Sequence, residues 1–472
     1  MLTDYIALLP EVVLSLGLLI MMLIRFCRHH NTPKTFYTVS RFFLLIGAVS
    51  TAVFYNQNVG ELFYNNLFTT LFKMLIYMFT FVWGYLSAKR FISKGTPSFL
   101  FYEIILFNVL AFSLAISSRN FLFLFLGLAP SFVINYFLLR IERATNEYRQ
   151  SNCFLGLSLL FMLIFAIGVA VLYRYFGSFD YAVIERGLGI RSQLIKPYYM
   201  AFAFILCAML FMLAAAPFHF WFAGAVGTSI LPVAGYLTII PPLAYFACIV
   251  NVCVNAFYPL LGWFNQVFLA FGLLSIFVGA VGANSESNLR KIFAYGGLYY
   301  IGVTLLALFP LNDNSLVAAF TYLLVYEVAI CGIYTVFFGY RVKGEYMSEM
   351  KDIKGVATQR SFLTAALLVF MISLIGTPPL LGFLGKLAVI NSFVITRHYV
   401  LIAFMMVAML ILAYAYLKII TVSYFEPRNN NFDIVDKGVY ICLIINIILI
   451  LVAVINPKYL MHDVEQMLVA VF

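Results

Sequence analysis

Long apolar runs separated by short polar stretches set the pattern of this chain. About 20 apolar residues cross a bilayer as a helix. The runs centred near residues 15, 47, 77, 109, 130, 163, 208, 242, 271, 300, 328, 375, 410 and 447 predict about fourteen crossings. The expected fold class is an all-α polytopic membrane protein. Two of the runs are interrupted. "AAAPFHFWFAGA" at 214–225 places Pro217 and His219 inside one, and "SLIGTPPLLGFLGKL" from Ser373 to Leu387 places Pro378, Pro379 and Lys386 inside another. Proline removes a backbone donor and clashes with the preceding turn, and hydrocarbon cannot satisfy the groups set free. Interrupted helices at matching places in two halves predict an internal repeat and point to an ion or substrate path near the membrane midplane. A proline kink accounts for one such break; a matched pair beside His219 and Lys386 favours function.

Composition sharpens this picture. Of 472 residues, 64% are hydrophobic and 10% charged, against roughly 25% charged in soluble domains. The net charge of +10 would suggest nucleic acid in a soluble chain, but here the basic residues sit in short loops and no nucleic-acid partner is expected. Loops after odd-numbered spans hold Arg25, Arg28, Lys34, Arg41, Lys89, Arg90, Lys94, Arg140, Arg143, Arg149, Arg290, Lys291 and the basic residues from Arg341 to Arg360, with Arg428 and Lys437; even loops hold far fewer, Lys196 and Arg397 among them. The positive-inside rule then places the odd loops in the cytoplasm or matrix and both termini on the opposite side. The seven cysteines read as small packed hydrophobes. Acidic Asp4 ahead of the first run, with no small-residue cleavage site, predicts that this run stays as a span.

Ionisable side chains within hydrocarbon mark proton or ion routes by default. Glu11, Lys73, Glu103, Glu327, Lys386 and Lys418 are the candidates. Glu11 and Lys73 lie close enough to span ends that snorkelling is an equal reading. Glu327, in "LLVYEVAICG", and Lys386 lie deeper. A buried lysine exchanges protons as its neighbours change, which suits a relay, and His219 adds a group that titrates near neutrality.

These residues resemble those of a known family, the antiporter-like subunits of proton-translocating NADH:quinone oxidoreductase, respiratory complex I. The resemblance rests on "LLPEVVL" at Leu8–Leu14, "APFHFW" at Ala216–Trp221, "NLRKIFAYGG" at Asn288–Gly297, "GTPPLLGFLGK" at Gly376–Lys386 and "AYAYLKIITVSYF" at Ala413–Phe425, in the order of its subunit N branch, called subunit 2 in mitochondria. It implies fourteen helices with two inverted five-helix repeats whose broken helices are spans 7 and 12. The segments would be an N-terminal three-span part at 1–98, a first repeat at 99–256, a second at 257–426, and a final span and tail at 427–472.

The departures are informative. Where the family has a glutamate in an "LGLE" context this chain reads "LGLAP", with Ala129 at that place; its span 7 lysine is replaced by Met212 and its span 8 lysine by Pro242. The span 12 lysine survives as Lys386, while Glu103 is a possible stand-in for the lost carboxylate. Two functional readings follow. In one the subunit carries protons through Lys386 and Glu327, with His219, Tyr300 and Lys418 supporting the relay and the first half degenerate. In the other it is a non-pumping structural subunit of the membrane arm. A cation/proton antiporter subunit outside complex I is a weaker alternative. The resemblance implies that NADH, FMN, iron–sulfur clusters and quinone belong to partner subunits, with no cofactor or metal on this chain. The 50 Phe and 31 Tyr fit an A+T-rich genome, which favours the mitochondrial inner membrane over a bacterial plasma membrane.

Overall fold

A computed structural model of the chain describes residues 8–27, 33–54, 57–59, 62–94, 99–141, 148–191, 197–310 and 312–455. Asp4, Arg28, Arg143, Lys196 and the tail beyond residue 455 lie outside the described residues. The helices are α1 (Leu9–Cys27), α2 (Pro33–Val53), α3 (Leu67–Lys94), α4 (Phe99–Ser117), α5 (Phe121–Arg140), α6 (Tyr148–Phe176), α7 (Tyr181–Arg191), α8 (Pro197–Met212), α9 (Phe222–Thr228), α10 (Leu231–Asn255), α11 (Leu261–Ser285), α12 (Leu289–Leu308), α13 (Asp313–Gly339), α14 (Ser361–Ile375), α15 (Leu381–Ile395), α16 (Tyr399–Phe425) and α17 (Lys437–Ile455). A small hairpin pairs β1 (Gln57–Val59) with β2 (Phe63–Asn65).

Among the described residues, 11 helices are long and apolar enough to cross a membrane, or up to 12 if a bent pair is counted as one span. The shorter apolar helices Tyr198–Met212, Leu381–Ile395 and Lys437–Val452 fall where spans 7, 12 and 14 are expected. The chain is a multi-pass, all-α membrane protein. It divides into two compact units, one of Met1–Leu213 with Ile240–Leu261 and one of Ala214–Ile239 with Gly262–Leu468.

Small residues set the helix packing within each unit, as they do where lipid removes the hydrophobic drive between helices. In the first, a side chain on Gly127 would meet the Ala115 backbone at 2.9 Å, so glycine lets α5 lie close on α4. In the second, one on Gly272 would meet the Gly302 carbonyl at 3.0 Å, which sets the approach of α11 to α12. Helix starts are capped by sequence. Asn288 accepts from the Arg290 and Lys291 amides at the start of α12, and Asn312 forms a capping box with Ser315 before α13.

Three charged candidates take structural places. Glu11 and Lys73 do not snorkel: Lys73 Nζ donates to Glu11 Oε1 at 2.6 Å and to Asn65 Oδ1 at 2.8 Å, and both side chains are buried. Ser113 donates to the same carboxylate oxygen at 2.5 Å and receives the Tyr77 hydroxyl at 2.7 Å. This network ties α1, α3 and α4 together. Glu103 pairs with Arg25 at 3.2 Å, so the proposed stand-in carboxylate already serves an ion pair between α4 and α1.

Candidate functional site

The break in span 12 separates α14 from α15. α14 stops at Gly376, whose φ of 76° is left-handed, a conformation open to glycine at no steric cost. Glycine is needed here for space as well, because a Cβ would meet Lys386 Cδ at 2.5 Å and Nζ at 2.6 Å. Ending a helix leaves its last carbonyls without amide partners. Lys386, one turn into α15 and only 6% exposed, donates to the Ile375 carbonyl and to Met409 Sδ on α16 at 2.9 Å. Tyr300 on α12 donates to the neighbouring Leu374 carbonyl at 2.6 Å. A cation at a helix C-terminus also meets the negative end of the helix dipole. Gly382 completes the turn by donating its amide to Ser373 Oγ at 3.1 Å.

Tyr300 belongs to an aromatic group that sequence reading missed. Its ring stacks on Tyr322 at 5.5 Å and on Tyr326 at 4.5 Å. Tyr299 packs edge-on against it and donates to the Met405 carbonyl at 3.1 Å. The signal was available: Tyr322 and Tyr326 are four residues apart and share one face of α13. Met409 carries no comparable signal, since a methionine in an apolar helix is ordinary core.

The break in span 7 is built differently. Ala214 holds a φ of 59° where a non-glycine residue is strained. The freed amide of Ala216 donates to the Ser275 hydroxyl at 2.8 Å, and Phe218–Trp221 form a 3₁₀ turn before α9. Pro217 is exposed beside this turn. His219 is half-buried and its Nδ1 has no partner among the described residues. No described hydrogen bond or ion pair joins it to Lys386.

Other expected members of the relay also stand apart from Lys386. Glu327 is fully buried, yet neither carboxylate oxygen has a hydrogen-bond partner among the described residues. Among the described residues it forms no ion pair with Lys386. The reason is helical geometry: Tyr326, one residue earlier and about 100° around α13, takes the place beside Tyr300. Lys418 is exposed on the outer face of α16, whereas Tyr416 on the same helix is buried; two residues reverse the face.

In the first unit the three positions where this chain departs from the expected pattern carry no charge. Met212 and Pro242 are buried and Ala129 half-buried. Two neutral polar contacts lie on α5: Ser131 pairs with the Tyr245 hydroxyl of α10 at 2.8 Å, and Asn135 accepts from Asn108 of α4 at 3.4 Å.

Broken membrane helices with a buried lysine at one break define a protein of the antiporter class. The chain belongs to the NADH:quinone oxidoreductase/Mrp antiporter transmembrane family, which it matches over residues 118–412. It is 28% identical over 438 residues to NADH-quinone oxidoreductase subunit N of Sphingopyxis alaskensis, covering 91% of this chain and 90% of that one. To the same subunit of Methylovorus glucosotrophus it is 24% identical, with 97% and 96% covered. Its fold is similar to a chain of respiratory complex I from Thermus thermophilus, with TM-score 0.81, 20% identity and coverage of 96% and 98%. It is similar also to a chain of the Mrp complex from Dietzia, with TM-score 0.85, 16% identity and coverage of 99% and 97%.

Proposed function

We propose that this chain is an antiporter-like membrane-arm subunit of proton-translocating NADH:quinone oxidoreductase, of the subunit N kind, and that it carries protons in its second unit only. The observation that carries the proposal is Lys386: a lysine buried at a helix break, held by a carbonyl and a thioether, with no carboxylate at ion-pair distance among the described residues. A buried ammonium without a counter-ion is costly by several kcal/mol. It is therefore poised to hold a proton in one state of its surroundings and release it in another, and the helix dipole and Ile375 carbonyl favour the loaded state. The near full-length match to subunit N relatives supports a place among the other membrane-arm subunits.

Redox chemistry belongs on this reading to partner subunits, which would hold NADH, FMN, iron–sulfur clusters and quinone. The membrane is an energy-transducing one. The A+T-rich residue usage suits a mitochondrion, while the bacterial relatives support the plasma membrane. The first unit, uncharged at Ala129, Met212 and Pro242, serves on this reading as structural membrane arm. The test is the proton-to-electron ratio of the whole complex in vesicles during NADH oxidation. Lys386→Met should lower the ratio while the complex stays assembled; an unchanged ratio would leave the purely structural reading.

A further inference from the structure

We propose that the second unit contains its own proton route to Lys386, a line of tyrosine hydroxyls running from the Arg290 end of α12, with Gly296 and Gly297 clearing the space for two of them. The inference rests on the proton-carrying role proposed for Lys386. By the asymmetry of basic loops, the Arg290 end faces the cytoplasm or matrix.

The line can be followed residue by residue. Arg290 is half-buried and donates to the Ser229 carbonyl. The buried Tyr334 hydroxyl faces Thr238, with the Arg290 guanidinium within electrostatic reach. Two turns back along α13, about 12 Å, Tyr326 stacks on Tyr300 at 4.5 Å. The Tyr416 hydroxyl lies against that of Tyr300, and Tyr300 donates to Leu374, one carbonyl from the Ile375 oxygen that Lys386 holds.

The "AYGG" stretch of α12 explains why the hydroxyls fit. A Cβ on Gly296 would fall on the Tyr416 hydroxyl oxygen, and one on Gly297 would meet that of Tyr326 at 2.8 Å. Adjacent glycines weaken a helix interior, so their presence needs a reason. Room for two phenol groups supplies one. The hydroxyls of Tyr326 and Tyr322 are buried and make no hydrogen bond among the described residues, and that of Tyr416 is buried against the Tyr300 hydroxyl. Phenylalanine, which this chain uses 50 times, would stack the same rings without burying an unsatisfied polar group. The hydroxyl oxygens are what distinguish these positions from packing, and water molecules with two to four partners are the bridges such groups take.

A proton taken from water at the Arg290 end passes along this line. Each hydroxyl gives its own proton forward through a bridging water as it accepts another from behind. The last proton arrives on neutral Lys386 Nζ. The tyrosines end as they began, and Lys386 gains one positive charge. The route starts and ends within one unit, and it avoids the uncharged positions Ala129, Met212 and Pro242.

The test uses the intact complex in vesicles, with proton uptake and NADH oxidation measured together. Tyr326→Phe combined with Tyr416→Phe keeps both rings and removes only the oxygens. The proposal predicts a proton-to-electron ratio as low as that of Lys386→Met, whereas Tyr340→Phe, which removes a buried hydroxyl paired with Thr364 at 3.1 Å elsewhere in the unit, leaves the ratio unchanged. A wild-type ratio in the double variant, with Lys386→Met lowered, overturns the tyrosine route alone. A wild-type ratio in Lys386→Met overturns the reading beneath it and the route with it. Should the double variant fail to assemble, Tyr416→Cys carries the decision: a small charged thiol reagent applied from the Arg290 side should label it, and resistance to labelling from that side contradicts the route.

Discussion

At the first break the chain turns through Ala214 and hands the freed Ala216 amide to a serine hydroxyl; at the second it turns through Gly376 and hands two freed carbonyls to a lysine and a tyrosine. Both arrangements satisfy the backbone, which is all that folding asks. They differ in what remains. Ser275 is neutral, so the group that caps the first break brings no charge to it. Lys386 brings a charge and no acidic partner among the described residues, so the second break stays sensitive to protonation. The contrast teaches that the broken helix by itself is a structural device, and that function enters with the group chosen to cap it.

The comparison is broken most severely by placing the family's charge back into the first unit. Met212→Lys buries an ammonium at a position that now holds a buried thioether, at a cost on the order of 3 kcal/mol. The expected outcome is a lower thermal midpoint of the extracted complex with no gain in proton output. A stable complex with a raised ratio would show that the first unit had kept the rest of its route. A smaller effect is expected from Ser275→Ala. It leaves the Ala216 amide without its acceptor, for about 1–3 kcal/mol, again read as thermal midpoint, and the proton-to-electron ratio should not change because no charge is involved.

Much of this was legible in the residues, for physical reasons. Spans and breaks follow from apolar length and proline, which a bilayer enforces strictly, and α8 and α14 end near the positions the prolines predict. Lys386 was legible as a deep charge. Its partners were not, because backbone carbonyls at a break have no sequence signature and Met409 looks like core. Glu327 misled for a different reason: depth along a helix is readable from sequence, but the face it occupies depends on packing, and Tyr326 holds the inward position. Lys418 failed by the same measure, with buried Tyr416 two residues away. Glu11 and Lys73 were ambiguous until the fold showed that they meet each other across sixty residues of chain.

The central claim is that charge at Lys386 in the second unit, and its absence at Ala129, Met212 and Pro242 in the first, divide the subunit into a conducting and a structural part. Water is the direct witness, since a proton chain through hydrocarbon needs anchored waters and each water needs two to four polar partners. The decisive measurement is a structure of the assembled complex at a resolution that shows ordered water. The account predicts waters between Lys386, Tyr300, Tyr416 and Tyr326, and none joining the surroundings of Ala129, Met212 and Pro242. A continuous water chain through those three positions, with a dry Lys386, would contradict it.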